Sequence, residues 1–103
     1  MIIVNELKNH IDQIRQLCNA HNVKSLFAFG SVVSDTLKPE SDIDLIVDIY
    51  SADPIEYSDN YFALKFQLES NLNRPIDLLE DKAVKNPYLK TQIDNTKVLV
   101  YGR

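Results

Sequence analysis

The sequence lacks an excess of positive charge, a long apolar run and a second cysteine, and each absence closes off a class of protein. Eleven Lys and Arg against fifteen Asp and Glu leave a net charge of −4. Non-specific binding to a phosphate backbone relies on clustered cations that release counterions, so none is expected. No apolar stretch reaches the ~20 residues that span a bilayer, and "MIIVNELKNH" has neither the basic start nor the long apolar centre of a signal peptide. No membrane association is expected, and the expected location is cytoplasmic. The lone Cys18 closes no intramolecular disulfide. It falls on the apolar side of a helical pattern and reads as a buried structural thiol.

What is present is the composition of a folded globular chain: 103 residues, 45% hydrophobic and 25% charged, without repeats or low-complexity tracts. That length supports one modest core, so residues 1–103 are expected to form a single domain. Ile3, Leu7, Ile11, Ile14, Leu17 and Cys18 recur at helical spacing and predict an amphipathic helix ending near "NAHN". "VKSLFAFG" reads as a strand closed by Gly30, and "SVVSDTLKPE" as a short helix followed by a loop broken at Pro39. "SDIDLIVDIY" is a second strand. Asp53-Pro54-Ile55-Glu56 carries helix-start chemistry, and Ser58 is a second possible cap. Tyr61, Leu64, Leu68 and Leu72 make the apolar stripe of that helix, widened by Phe62 and Phe66. The helix ends before Pro75, and "PIDLLE" is a third strand. Asn86-Pro87 opens a brief helix, and "TKVLVYG" is a fourth strand. The expected fold is α/β (α+β), a small mixed sheet with helices packed on one face.

The second strand poses the functional question. Alternation puts Ile43, Leu45, Val47 and Ile49 on one face and Asp42, Asp44, Ile46 and Asp48 on the other. Aspartate is disfavoured in strands, and same-face neighbours of like charge repel by about 1 kcal/mol at a surface. An exposed polar strand face would account for the pattern. So would a metal site, because Asp77 lies between apolar residues in another predicted strand and could join Asp42 and Asp44. Converging carboxylates raise one another's pKa unless a cation sits among them, and oxygen-seeking divalent ions meet that need. Gly30-Ser31 lies where a strand meets a short helix. It is either a strand end with a serine cap or a place where backbone N–H groups and a hydroxyl meet phosphate.

Taken together, Gly30-Ser31, a ten-residue interval to Ser41, then Ser-Asp-x-Asp-Leu and a later Asp77 resemble the signature of the nucleotidyltransferase (DNA polymerase β-like) superfamily. The short chain is similar to its minimal members, the MNT-type antitoxins encoded beside HEPN-domain toxins. The resemblance implies that Asp42, Asp44 and Asp77 hold two Mg²⁺ ions, with Asp77 also assisting deprotonation of an acceptor hydroxyl. It assigns Gly30, Ser31 and Ser41 to the nucleotide. It implies transfer of AMP from ATP to a hydroxyl of a HEPN-type toxin partner. The chain departs from the common G-S-x-A-R-G pattern, having Ser34 for arginine and Asp35 for glycine; Lys38, Lys65, Arg74 and Lys82 are the candidate compensating cations. Alternatives are an antitoxin that acts by occlusion and a small-molecule, aminoglycoside-type nucleotidyltransferase, which at this length would need a partner subunit or a homo-oligomer. His10 and His21 lack metal spacing and read as structural or solvent-facing. Tyr57 and Tyr61 read as packing residues, and Asp48 as exposed or as an outer-shell group.

Overall fold

The computed structural model describes residues 5–30, 33 and 42–102. The N-terminal helical pattern forms two pieces, α1 (Asn5–Lys8) and α2 (Ile11–Ala20), rather than one helix. The break falls at Asn9-His10, both poor helix formers, where the His10 N–H bonds the Leu7 carbonyl three residues back at 3.1 Å. Leu7 and Ile14 are buried on either side of it, so the apolar face survives the break. Asn22, at φ 58°, turns the chain out of α2 in the left-handed conformation that asparagine tolerates.

The strands are β1 (Val23–Phe29), β2 (Ile43–Ile49), β3 (Ile76–Glu80) and β4 (Val98–Gly102), in the sheet order β3-β2-β1-β4. β1 runs antiparallel to both β2 and β4, whereas β2 and β3 are parallel. A parallel pair needs a crossover, supplied by α3 (Pro54–Leu72). The Asp53 carboxylate accepts the Ile55 N–H at 2.9 Å, Pro54 follows, and Asn73 ends the helix at φ 53°. A 3-10 turn (Asp81–Ala83) leads to α4 (Pro87–Thr96), capped by the Asn86 side chain on the N–H groups of Tyr88 and Leu89.

The expected core face is buried as read: Ile43, Leu45, Val47 and Ile49 join Leu26, Ala28, Ile76, Leu78 and Val100. α2 covers them with Ile14 and Cys18, and α3 with Leu64, Leu68 and Leu72. Tyr57 and Tyr61 pack at its margin as expected. Two further expectations are corrected. Phe62 and Phe66 do not widen the buried stripe of α3; they are 53% and 60% exposed and stack on each other. The stripe that starts at Tyr61 already fills the sheet-facing side, and positions one and five residues on point away from it. Asp48 is not exposed but half-buried, with Lys82 Nζ 3.4 Å from its Oδ1.

Among the described residues no helix is long and apolar enough to cross a membrane. The helix expected after Gly30 lies outside the described residues except Val33, whose N–H bonds the Gly30 carbonyl at 3.1 Å.

Candidate functional site

The acidic face of β2 becomes a site through register. Parallel pairing sets Ile43 beside Ile76 and Asp44 beside Asp77, and the Ile43 N–H bonds the Pro75 carbonyl at 3.1 Å just below. Residues in register share a face, so the two carboxylates meet. Asp42 precedes the strand on the same side and is exposed, as is Asp77; Asp44 is half-buried. The Asp44 carboxyl is raised above its ordinary value, first by burial, then by the charges of Asp77 and Asp42, and by a hydrogen bond with Asp77. Carboxylates that raise one another's pKa in this way favour a cation among them.

Gly30 forms the third wall. Antiparallel pairing puts Phe29 opposite Asp44, and Gly30 follows at φ 74°. A Cβ at this position would collide with Asp44 Oδ2. Glycine is needed there for its backbone conformation and because the carboxylate occupies the space a side chain would take. The site thus unites Asp44, Asp77 and Gly30 in contact, with Asp42 acting on Asp44 through its charge. Ser31 and Ser41 lie outside the described residues, as do Ser34, Asp35 and Lys38.

A divalent cation fits this donor set in chemistry: hard carboxylate oxygens and mutual repulsion that it would relieve. Among the described residues no three His, Cys, Asp or Glu side chains are gathered tightly enough to ligate one ion together. The touching pair is Asp44 and Asp77, and Asp42 stands at longer range.

Two of the candidate cations, Lys65 and Lys82, are engaged away from Asp44 and Asp77. Lys65 pairs with Glu69 at 3.6 Å, Lys82 reaches Asp48 and the Ile49 carbonyl, and Arg74 also has a partner. Lys97 was not singled out by sequence reasoning. It lies 4.3 Å above the Phe27 ring and 3.0 Å from Asp94. Only the pairing of β4 with β1 brings it there, so no local pattern reveals it. His21 faces Asn60 at 3.3 Å, in keeping with a structural role.

Two further residues hold Asp77 in place. β3 is an edge strand, and its backbone groups on the open side belong to Ile76 and Leu78, which flank Asp77. Glu69 accepts the Ile76 N–H at 3.1 Å, and the Tyr61 hydroxyl donates to the Leu78 carbonyl. α3 thereby satisfies the open edge on both sides of the carboxylate. The signal in the sequence was weak: Tyr61 read as a packing ring, and Glu69 was not singled out.

A four-stranded mixed sheet with carboxylates from two adjacent parallel strands and a glycine turn beside them defines a nucleotidyltransferase fold. The family profile described as "Polymerase beta, Nucleotidyltransferase" matches residues 12–103, and the chain belongs to this family of enzymes. A relative from Methanocaldococcus jannaschii, provisionally named a protein adenylyltransferase, is 30% identical over 101 residues, covering 97% of this chain and 100% of the relative. Another from the same organism, with the same provisional name, is 32% identical over 95 residues, covering 92% and 95%. A solved structure provisionally named a minimal nucleotidyltransferase superposes with a TM-score of 0.75 at 24% identity, covering 89% of this chain and 90% of that one. A chain in the crystal structure of a toxin–antitoxin pair with AMP-PNP gives 0.71 at 23% identity, over 97% and 75%. A chain in the complex of a tri-AMPylated HEPN toxin from Shewanella oneidensis with its MNT antitoxin gives 0.64 at 20%, over 93% and 72%. These structural likenesses establish the fold.

Proposed function

We propose that this nucleotidyltransferase moves AMP from ATP to a hydroxyl of a partner protein, and that the partner is a HEPN-type toxin which the modification silences. The observation that carries the reading is the register that sets Asp44 against Asp77 beside Gly30. The provisional names of the relatives support the adenylyl group, and the toxin–antitoxin structures support the kind of partner.

In this reading the acceptor oxygen bonds the α-phosphorus of ATP while the bond to the β-phosphate oxygen breaks and pyrophosphate leaves. Asp42, Asp44 and Asp77 would hold two Mg²⁺ ions, whose charge would offset that developing on the phosphates. Asp77, on the edge strand of the sheet, would receive the acceptor proton. Glu69 and Tyr61 fix the backbone on both sides of it, which aligns its carboxylate with Asp44. The Gly30 turn would let the triphosphate approach the backbone, and the Ser31 hydroxyl would be a further donor in this reading. Catalysis here is chiefly positioning and charge stabilisation.

The test is incubation with labelled ATP, Mg²⁺ and the protein encoded by the neighbouring gene. The wild type should label the partner, and the double variant Asp42→Asn/Asp44→Asn should not. Full labelling by the double variant would sink the catalytic assignment. Neutralisation of the partner without any labelling would replace transfer by occlusion.

A further inference from the structure

The outward side of α3 carries two aromatic rings that the core does not use. Phe62 and Phe66, one turn apart, are both more than half exposed and lie stacked, with centroids 6.2 Å apart and planes at 26°. Ile55, seven residues before Phe62 and also exposed, extends the apolar line on that face. The three make a contiguous patch, unlike a lone exposed ring. The rings are also held in place. Tyr61 meets the Phe62 ring edge-on at 5.1 Å, and Lys65, paired with Glu69 at 3.6 Å, sits 5.9 Å from the Phe66 centroid. Rings ordered before contact lose little freedom on binding.

The same side chains tie the patch to the candidate active site. The Tyr61 hydroxyl, on the ring beside Phe62, donates to the Leu78 carbonyl. Glu69, the partner of the lysine beside Phe66, accepts the Ile76 N–H. Ile76 and Leu78 flank Asp77, so the two rings border the edge strand at the level of its carboxylate. Gly30 and β1 lie on the opposite side of β2 from that edge. Tyr61 and Glu69 already take one carbonyl and one N–H of β3, so an incoming strand finds no unbroken ladder there. What this edge offers a partner is the aromatic pair.

We infer that Phe62 and Phe66 form the docking patch for the acceptor protein, receiving apolar side chains of a helix or loop that basic residues flank. The inference rests on the transfer reading above: with the nucleotide at Gly30, the acceptor reaches Asp77 from the β3 side. The basic flank follows from charge. Asp59 is exposed one turn before Phe62, Lys65 is neutralised by Glu69, and the chain carries −4 overall. A second copy of this chain fits less well. The patch buries on the order of 300 Å², against roughly 800 Å² per partner in a stable interface, and a twin brings a net charge of −4 to the same acidic margin. An acceptor that also reaches Asp77 adds the surface between patch and site, and the rings serve as its anchor.

The test uses the full chain and the protein encoded by the neighbouring gene. Calorimetry without ATP measures their binding, and labelling kinetics with Mg²⁺ and labelled ATP give kcat and the KM for the partner. Phe62→Ser/Phe66→Ser should weaken binding at least about thirtyfold and raise that KM by a similar factor. It should leave kcat, and ATP binding in Mn²⁺, unchanged. Tyr50→Ser, which removes an exposed ring just past the other end of β2, should change none of these. Asp59→Lys should weaken the complex at low salt and much less at high salt; tighter binding would overturn the basic flank. Unchanged binding and KM in the double variant, with the partner still labelled, would overturn the docking patch and leave transfer standing. A wild type that binds but never labels, and whose binding the double variant loses, would keep the patch and overturn transfer. A wild-type dimer in sedimentation that the double variant dissolves, with partner affinity intact, would assign the patch to a second copy and overturn the inference. A wild type that neither binds nor labels the partner overturns both.

Discussion

At the scale of single residues the site is most sensitive at Gly30. Its φ of 74° penalises any side chain, and a Cβ would strike the Asp44 carboxylate. Gly30→Ala is therefore expected to cost about 1–3 kcal/mol in urea denaturation and to abolish labelling of the partner. Unchanged stability would mean that the turn does not need the left-handed conformation. Asp44 carries a second expectation. Its folded pKa is raised by burial, Asp77 and Asp42, so between the ordinary and the raised value the folded state holds more protons than the unfolded one. Stability in EDTA then falls as pH rises through that window, and the loss persists above it. Asp44→Asn should flatten the fall and melt higher than wild type at neutral pH without metal; a lower melting point would contradict the strained pair. Asp42 and Asp44 were legible from two-residue alternation alone. That Gly30 is shaped by Asp44, fourteen positions away, was not, because only strand pairing creates the contact.

Among the elements, α3 offered two starts, at Asp53-Pro54 and at Ser58, of which the structure takes the first, and it was hardest to read on its faces. Asp53, Pro54 and Asn73 carry local chemistry that any isolated helix would obey, and the structure follows it. Which aromatic side faces the sheet depends on packing, and the exposure of Phe62 and Phe66 could not be read from periodicity in a helix apolar over so wide an arc. The split between α1 and α2 was hidden for a similar reason: the apolar spacing continues across Asn9-His10 while the backbone does not. The two sides of α3 give a sharp comparison. Leu68→Ala, in the fully buried stripe, should cost about 2–5 kcal/mol, whereas Phe66→Ser should stay within about 0.5 kcal/mol. Chemical denaturation of both variants decides it, and comparable losses would place Phe66 in the core. The same helix reaches the site through Glu69 and Tyr61. Tyr61→Phe should lower kcat more than it raises KM for ATP, because it loosens the strand that carries Asp77 without touching the nucleotide.

Over the whole molecule, the sequence determined the number and character of the strands, but the order β3-β2-β1-β4 is a property of the folded chain. That order makes the site a joint product of core and charge. The same β2–β3 pairing that buries Ile43, Leu45, Ile76 and Leu78 forces Asp44 against Asp77, so the energy of the core holds together groups that repel. A cation bound at the pair would remove the repulsion only in the folded state, since the unfolded chain does not bring residues 44 and 77 together. Such a ligand adds stability by mass action, about 2.7 kcal/mol at a hundredfold excess over its Kd. In a domain of this size each kcal/mol moves Tm by roughly 4–8 °C. Mn²⁺ with ATP should therefore raise the melting temperature over that in EDTA by on the order of 10 °C at saturation, as read by circular dichroism. Asp77→Asn should lose most of that rise although its own fold is intact, because the core that sets the register remains. Identical melting in EDTA and in Mn²⁺–ATP would mean that the carboxylates are a repulsive face with no metal to serve, and the acidic strand would return to its blandest explanation.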